Sequence, residues 1–201
     1  MLTLCDDLLT ALIVQGYADL ADAVEAAESK VRRIDVMDRW RASARAVRAW
    51  ATENPHDYGL LYATPAPGYV APEDTIAPVL RLSNVLAQIL TDAAATNRLK
   101  PVSAASKKLH PSLTPVTLLF DGRASVVIAN VIISWSALFG AVSFELFGHL
   151  HGVVADRDMF FEYEVDRLAR EVIGLTSPTG VGDRSPDPSP RLFGGNAGSR
   201  F

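Results

Sequence analysis

The chain has 201 residues, 49% hydrophobic and 21% charged, enough for one ordinary domain with a substantial core. A formal net charge of -4 gives no overall attraction to nucleic acid or to an anionic membrane surface. The single cysteine, Cys5, excludes an intramolecular disulfide and a cysteine-based zinc site, and fits a reducing compartment.

Asp6 and Asp7 come almost at once, so no basic segment precedes an apolar run and no signal peptide is indicated. A cytoplasmic protein is expected. The two aspartates suit the positive end of a first helix, along which Leu9, Leu12, Ile13, Gly16, Leu20, Ala23, Val24 and Ala27 share one face. Its apolar stripe begins so early that the upstream end looks cut from something it packs against. A second helix is expected over 35–53, with Trp40, Ala44, Val47 and Ala51 on its core face. Arg41, Arg45 and Arg48 lie on another face at i, i+4, i+7. Such a stripe either meets phosphate or an acidic ligand, or is a solvated face with local ion pairs to Asp38 and Glu53. The solvated face is the reading adopted.

Asn54-Pro55 stops that helix, and a short one follows over 56–62. Residues 64–72 are too rich in proline for a helix or a central strand, with Tyr69 as a packing anchor. A third long helix starts near Thr75 as N-cap and runs to about Arg98 through Leu82, Leu86, Ile89, Leu90 and Ala93. A polar, proline-punctuated loop follows over 100–112, then a short helix over 113–120. Asp121-Gly122 turns the chain into its most apolar stretch.

That stretch has no charge between residues 124 and 144, long enough to cross a bilayer at 1.5 Å per residue. The alternative is a central helix buried on all sides by protein. Ser125, Asn130, Ser134, Ser136 and Ser143 are scattered along it without flanking aromatic or basic girdles, which favours the soluble reading. Ile128, Ile132, Trp135, Phe139, Val142 and Leu146 form a bulky stripe, while Ser136, Gly140 and Ser143 form a strip of small residues. Two such faces call for two partners: the protein's own core and a second subunit. His149-Leu-His151-Gly152 ends this helix. Asp156 or Asp158 caps the last one, with Phe161, Val165, Leu168 and Val172 as its stripe and Gly174 as its C-terminal cap. The domain is therefore expected over 1–175 and all-α, with a disordered tail over 176–201.

Glu145 and His149 stand one turn apart, with His151 beyond, and could share an ion. A third ligand would have to come from a turn, so ordinary helix-end histidines are expected and no metal is assigned. No nucleophile elbow, phosphate loop or dinucleotide fingerprint occurs, and neither an enzyme nor a cofactor is expected. Trp40, Trp50, Tyr58, Tyr62, Trp135 and Phe139, with Asn130 and Ser134 as polar contacts, either line a small-molecule pocket or fill the core. The candidate ligand set is Trp40, Tyr62, Asn130, Ser134, Trp135 and Phe139.

Residues 47–62, continuing through 64–69, resemble the C-terminal domain of TetR-family transcriptional regulators. The subgroup is the one with a Trp-x-x-x-His-Gly-like signature, matched by Trp135-Ser-Ala-Leu-Phe139-Gly140 and then Val142-Ser-Phe-Glu-Leu-Phe-Gly-His149. Phe139 stands where that signature has histidine, so no polar role carries over to it. The resemblance implies a homodimeric repressor that senses a small-molecule effector, with a four-helix interface between subunits. On that reading Ser136, Gly140, Ser143, Phe147, Phe161, Val165, Leu168 and Val172 face the partner. Asp6-Asp7-Leu8-Leu9 resembles the start of the helix after the recognition helix, so operator DNA would be bound only through a helix-turn-helix not present in this chain. The other reading is an interaction module that pairs with full-length relatives and removes them from operators.

Overall fold

The computed structural model describes residues 4–62, 76–100 and 125–176. The helices are α1 (Leu4–Glu28), α2 (Val36–Glu53), α3 (Pro55–Tyr62), α4 (Ile76–Ala95), α5 (Ser125–Leu146) and α6 (Arg157–Arg167). α6 runs on without a break into a π-helical turn, Leu168–Ile173. Only one isolated antiparallel bridge, Leu99 to Leu175, stands beside them among the described residues. The proline-rich connector with Tyr69, the Thr75 cap, the loop and short helix between 101 and 120, the Asp121-Gly122 turn and the tail beyond Thr176 lie outside the described residues.

α2 is the element the rest packs around, touching α1, α3, α4, α5 and α6. Its expected face of Trp40, Ala44, Val47 and Ala51 is buried throughout. The sequence reading did not single out Arg39, which is only 1% exposed. Its guanidinium pairs with Glu28 at the end of α1, donates to the Arg33 carbonyl at 3.2 Å and reaches Asp92 of α4 at 2.7 Å. The next residue, Trp40, donates its indole N–H to the Val165 carbonyl of α6 at 2.9 Å. Leu20 and Val24 of α1, Leu86, Ile89 and Leu90 of α4 and Ile128 and Leu138 of α5 complete the core.

Two expected stripes are shifted. On α1 the N-terminal part of the stripe is not core: Leu12 is exposed, Leu9 and Ile13 are half-buried, and deep burial begins at Gly16. On α6 the buried positions are Phe161, Val165, Ala169 and Ile173, not Phe161, Val165, Leu168 and Val172. A π-turn holds more residues than an α-turn, so the inward seam keeps stepping by four and Leu168 and Val172 rotate to the half-buried edge. Asp156 caps α6 by accepting from the Met159 N–H at 2.9 Å, and Gly174 closes it in the left-handed region at φ 83°.

The arginine stripe of α2 is an inter-helix clamp. Arg41 grips Asp166 of α6 with two bonds of 2.7 and 2.9 Å and also meets Asp38; Arg45 grips Glu162 with bonds of 2.6 and 2.7 Å. Arg48 grips Glu145 of α5 with bonds of 2.7 and 2.5 Å, reaches Asp158 and lies over the Phe161 ring at 4.8 Å. The expected pairing with Asp38 is present for Arg41, but most partners come from other helices and Glu53 is not among those described. The Arg41 hydrogen bonds hold Asp166 below the ordinary carboxylate range, and Arg45 does the same to Glu162.

α5 is long and apolar enough over Ile128–Leu146 to cross a membrane, and 39% of that window is buried inside the chain's own fold. Val131 and Leu138 take inward places, whereas Ile132 of the expected bulky stripe is exposed.

Two outcomes follow. Removing both acids by Glu28→Ala with Asp92→Ala strands a buried cation, and urea melts are expected to show a loss of about 3–5 kcal/mol. Arg39→Met leaves two carboxylates that keep 18% and 22% of their side-chain surface in water, and is expected to be the milder change. Equal losses would contradict the account. For the clamp, depressed carboxylate values mean the unfolded chain binds more protons in acid. The stabilisation is therefore complete above the ordinary range near pH ~4 and vanishes as pH falls through the folded-state values. Thermal melts from neutral pH downward should show Asp166→Asn less stable than the parent at pH ~7, with the gap closing in acid.

Candidate functional site

α3 and α5 bring six rings together with help from α1 and α2. Tyr62 stacks on Phe139 with centroids 4.3 Å apart at 20°, and Phe139 lies 5.7 Å from Trp135. Trp135 in turn lies 5.9 Å from Trp40. Tyr58 approaches Tyr62 at 5.0 Å, and Tyr17 of α1 meets Tyr62 edge-on at 5.9 Å. The Tyr58 hydroxyl sits 2.8 Å from the Phe139 carbonyl, to which it donates, and 2.9 Å from the Ser143 hydroxyl. α3 is thereby pinned to the C-terminal half of α5.

Of the candidate ligand residues, Tyr62, Trp135 and Phe139 are in this cluster. Trp40 also touches it, but is fully buried with its indole N–H already taken by Val165. Ser134 is fully buried beside Trp135 on α5, and Asn130 is half-buried one turn before Ser134. Trp50 is buried in the main core. Tyr17 was missed because the α1 face was read from aliphatic residues alone.

The polar character of the cluster is unusual. Among the described residues, the Ser134 hydroxyl and the Trp135 indole N–H are buried with no hydrogen-bond partner. Burial pushes the Tyr62 phenol far above its ordinary value, with Tyr17 and Tyr58 adding to the shift, and it raises Tyr17 and Tyr58 as well. All three phenols are neutral at physiological pH. The cluster thus offers flat apolar walls and one unspent donor, the Trp135 N–H, while the unspent Ser134 hydroxyl lies on the neighbouring face of α5.

A second feature lies on the outer side of α5 and α6. Ile133 and Phe144 of α5 and Met159 and Tyr163 of α6 are exposed there. Ala137 and Ala141 floor a groove of about 260 Å³ flanked by Phe160, Tyr163, Leu168 and Val172. Glu164 lines it too, its carboxyl raised by burial and then by nearby Glu145. Ser136, Gly140 and Phe147 of the expected interface are on the surface, and a side chain built on Gly140 would meet nothing within 4 Å. Leu168 and Val172 are half-buried at the groove. The remaining three point elsewhere: Ser143 turns inward to Tyr58, while Phe161, beneath Arg48, and Val165, beside Trp40, fill the protomer's own core.

Neither polar alternative gathers a site. Both Glu145 oxygens are held by Arg48, and His149 packs near the Phe144 ring at 5.2 Å. Among the described residues no group of three potential ligands could hold a metal ion. The groove of about 550 Å³ between α2 and α6 is lined by arginines that carboxylates already answer.

Residues 40–168 match the family described as tetracyclin repressor-like, C-terminal domain. HTH-type transcriptional regulator Mb1846 of Mycobacterium bovis and HTH-type transcriptional regulator Rv1816 of Mycobacterium tuberculosis are each 35% identical over 156 residues. The match covers 71% of this chain and 62% of each relative, so the chain spans less than two thirds of their length. A candidate regulatory protein, SCO4313, superposes with a TM-score of 0.65 at 29% identity, over 81% of this chain and 72% of that one. A protein of unknown function from Rhodococcus sp. RHA1 shares the fold, with a TM-score of 0.61 at 20% identity over 83% and 72%. The all-helical architecture and the family match together identify the chain as a member of the tetracyclin repressor-like C-terminal domain family.

Proposed function

We propose that this chain is the effector-sensing and dimerising part of a cytoplasmic transcriptional repressor. The observation that carries the reading is the aromatic cluster with the buried, unpaired Trp135 N–H, in a chain related to proteins named transcriptional regulators. Few polar groups on apolar walls are the usual make-up of a small-molecule site. Operator recognition belongs to a helix-turn-helix outside the described helices, because the arginine stripe of α2 is neutralised by carboxylates and cannot serve phosphates. The alternative module that titrates full-length relatives gains no support from these matches.

The homodimer is formed through the outer face of α5 and α6, on a twofold axis. Exposed Ile133, Phe144 and Tyr163 around the small residues Ser136, Ala137, Gly140 and Ala141 support that placement, and burying this face also answers the apolar length of α5. The proposed interface comprises Ser136, Gly140, Phe147, Leu168 and Val172, with Ser143, Phe161 and Val165 behind it.

Gly140→Leu separates an interface from a free surface. Within one protomer the new side chain meets no obstacle, and helix propensity favours Leu over Gly by about 0.5–1 kcal/mol. Between two close helices it overpacks, at about 1–3 kcal/mol. Sedimentation is expected to show weakened dimers with helicity retained; a variant as dimeric as the parent and with a higher Tm would refute the placement. A thermal-shift screen of small molecules tests the sensing role, since a ligand of the native state raises Tm by mass action.

A further inference from the structure

Resting on the sensing role above, we propose that the effector is an uncharged molecule that presents a carbonyl-type hydrogen-bond acceptor on a flat apolar body. The Trp135 indole N–H is a donor and nothing else. Buried without a partner, it is satisfied only by an acceptor, and an ammonium ligand would face it with more donors. An aromatic cluster alone would also suit a cation through the ring faces; the unpaired N–H decides against that choice.

Ser134 strengthens the assignment. In α2 and α4 the buried Ser43 and the half-buried Thr91 turn back on the carbonyl four residues earlier, Ser43 to Arg39 and Thr91 to Ala87, at 2.9 and 2.8 Å. Ser134 is fully buried on a helix that offers the same carbonyl, yet makes no such bond. Its hydroxyl can give or take a hydrogen bond, so it suits a second polar atom of the ligand.

A carboxylate ligand is disfavoured by the surroundings. The phenols are neutral, and the described contacts of Tyr62, Trp135 and Phe139 are to other rings. Arg41, Arg45 and Arg48 are committed to carboxylates in the α2 clamp. The stacked Tyr62 and Phe139 rings set the shape the ligand has to match: a planar body able to pack against a flat ring face.

Three probes of one size separate the chemistries: acetophenone, neutral with an acceptor; benzoate, charged; and ethylbenzene, with no acceptor. The readout is the indole N–H resonances of the three tryptophans, with that of Trp135 identified by its loss in Trp135→Phe. Acetophenone is expected to move the Trp135 resonance and to bind about 3- to 10-fold tighter than ethylbenzene, the worth of one neutral hydrogen bond. Benzoate is expected to bind more weakly than acetophenone. Ser134→Ala should raise the Tm of the free protein, because it removes an unsatisfied buried hydroxyl. Benzoate binding as tightly as acetophenone, or ethylbenzene doing so with the Trp135 resonance unmoved, overturns the ligand class and leaves the sensing role standing. If none of the probes at millimolar concentration perturbs Trp135 or the Tyr62 and Phe139 ring signals, the ligand class and this location of the sensing site fall together.

Discussion

Burying the Arg39 guanidinium constrains everything around it. Taking a charge out of water costs several kcal/mol, and only well-placed partners offset that. Here the partners come from three places: Glu28 at the end of α1, Asp92 on α4 and the Arg33 carbonyl in the link between α1 and α2. A slip of any one of them leaves the cation unanswered, so α1, α2 and α4 have a single register. Consecutive residues on a helix point about 100° apart. Trp40 therefore looks away from Arg39 and fastens the other half of the molecule, through Val165 on α6 and the ring of Trp135 on α5. Two adjacent side chains hold both halves to one helix.

The π-helical turn after α6 does comparable work at the outer face. It lets the buried seam step from Phe161 to Val165, Ala169 and Ile173, and leaves Leu168 and Val172 beside Ala137 and Ala141. The same segment is thus core on one side and groove wall on the other. Gly174 then redirects the chain so that Leu175 pairs with Leu99, with the Lys100 N–H donating to the Gly174 carbonyl at 2.8 Å.

Helix boundaries were legible because their signals are local: Asn54-Pro55, the Asp156 cap and Gly174 act through their own backbone geometry. The α2 core face was legible for the same reason, as a regular 3.6-residue pattern. What escaped depended on distant partners. Arg39 reads as a surface charge until Glu28 and Asp92 are brought beside it. Phe161 and Val165 satisfy an apolar stripe equally well inward or outward, and only Arg48 and Trp40 settle which. Ile128, Trp135 and Val142 of the bulky α5 stripe are buried as its spacing implies, while Ile132 lies at the edge of the stripe in solvent and Val131 and Leu138 extend the inward face on the other side. The aromatic cluster was half visible: its rings could be named, but the missing bonds of Ser134 and Trp135 are properties of the packed state alone.

At Gly16 α1 lies close against α3, the position a methyl would occupy being 3.4 Å from the Leu61 side chain. The first turns of α1 reach past that point with Leu8 and Leu12 uncovered. From Gly16 back to Leu4 the helix is a rigid arm of about 18 Å, at 1.5 Å per residue. A tilt of about 5° at that fulcrum carries its tip sideways by about 1.6 Å, whereas the same tilt moves the neighbourhood of Tyr17 hardly at all. Any tilt that the rings beside Tyr62 impose on α1 would therefore be largest at its N-terminal tip.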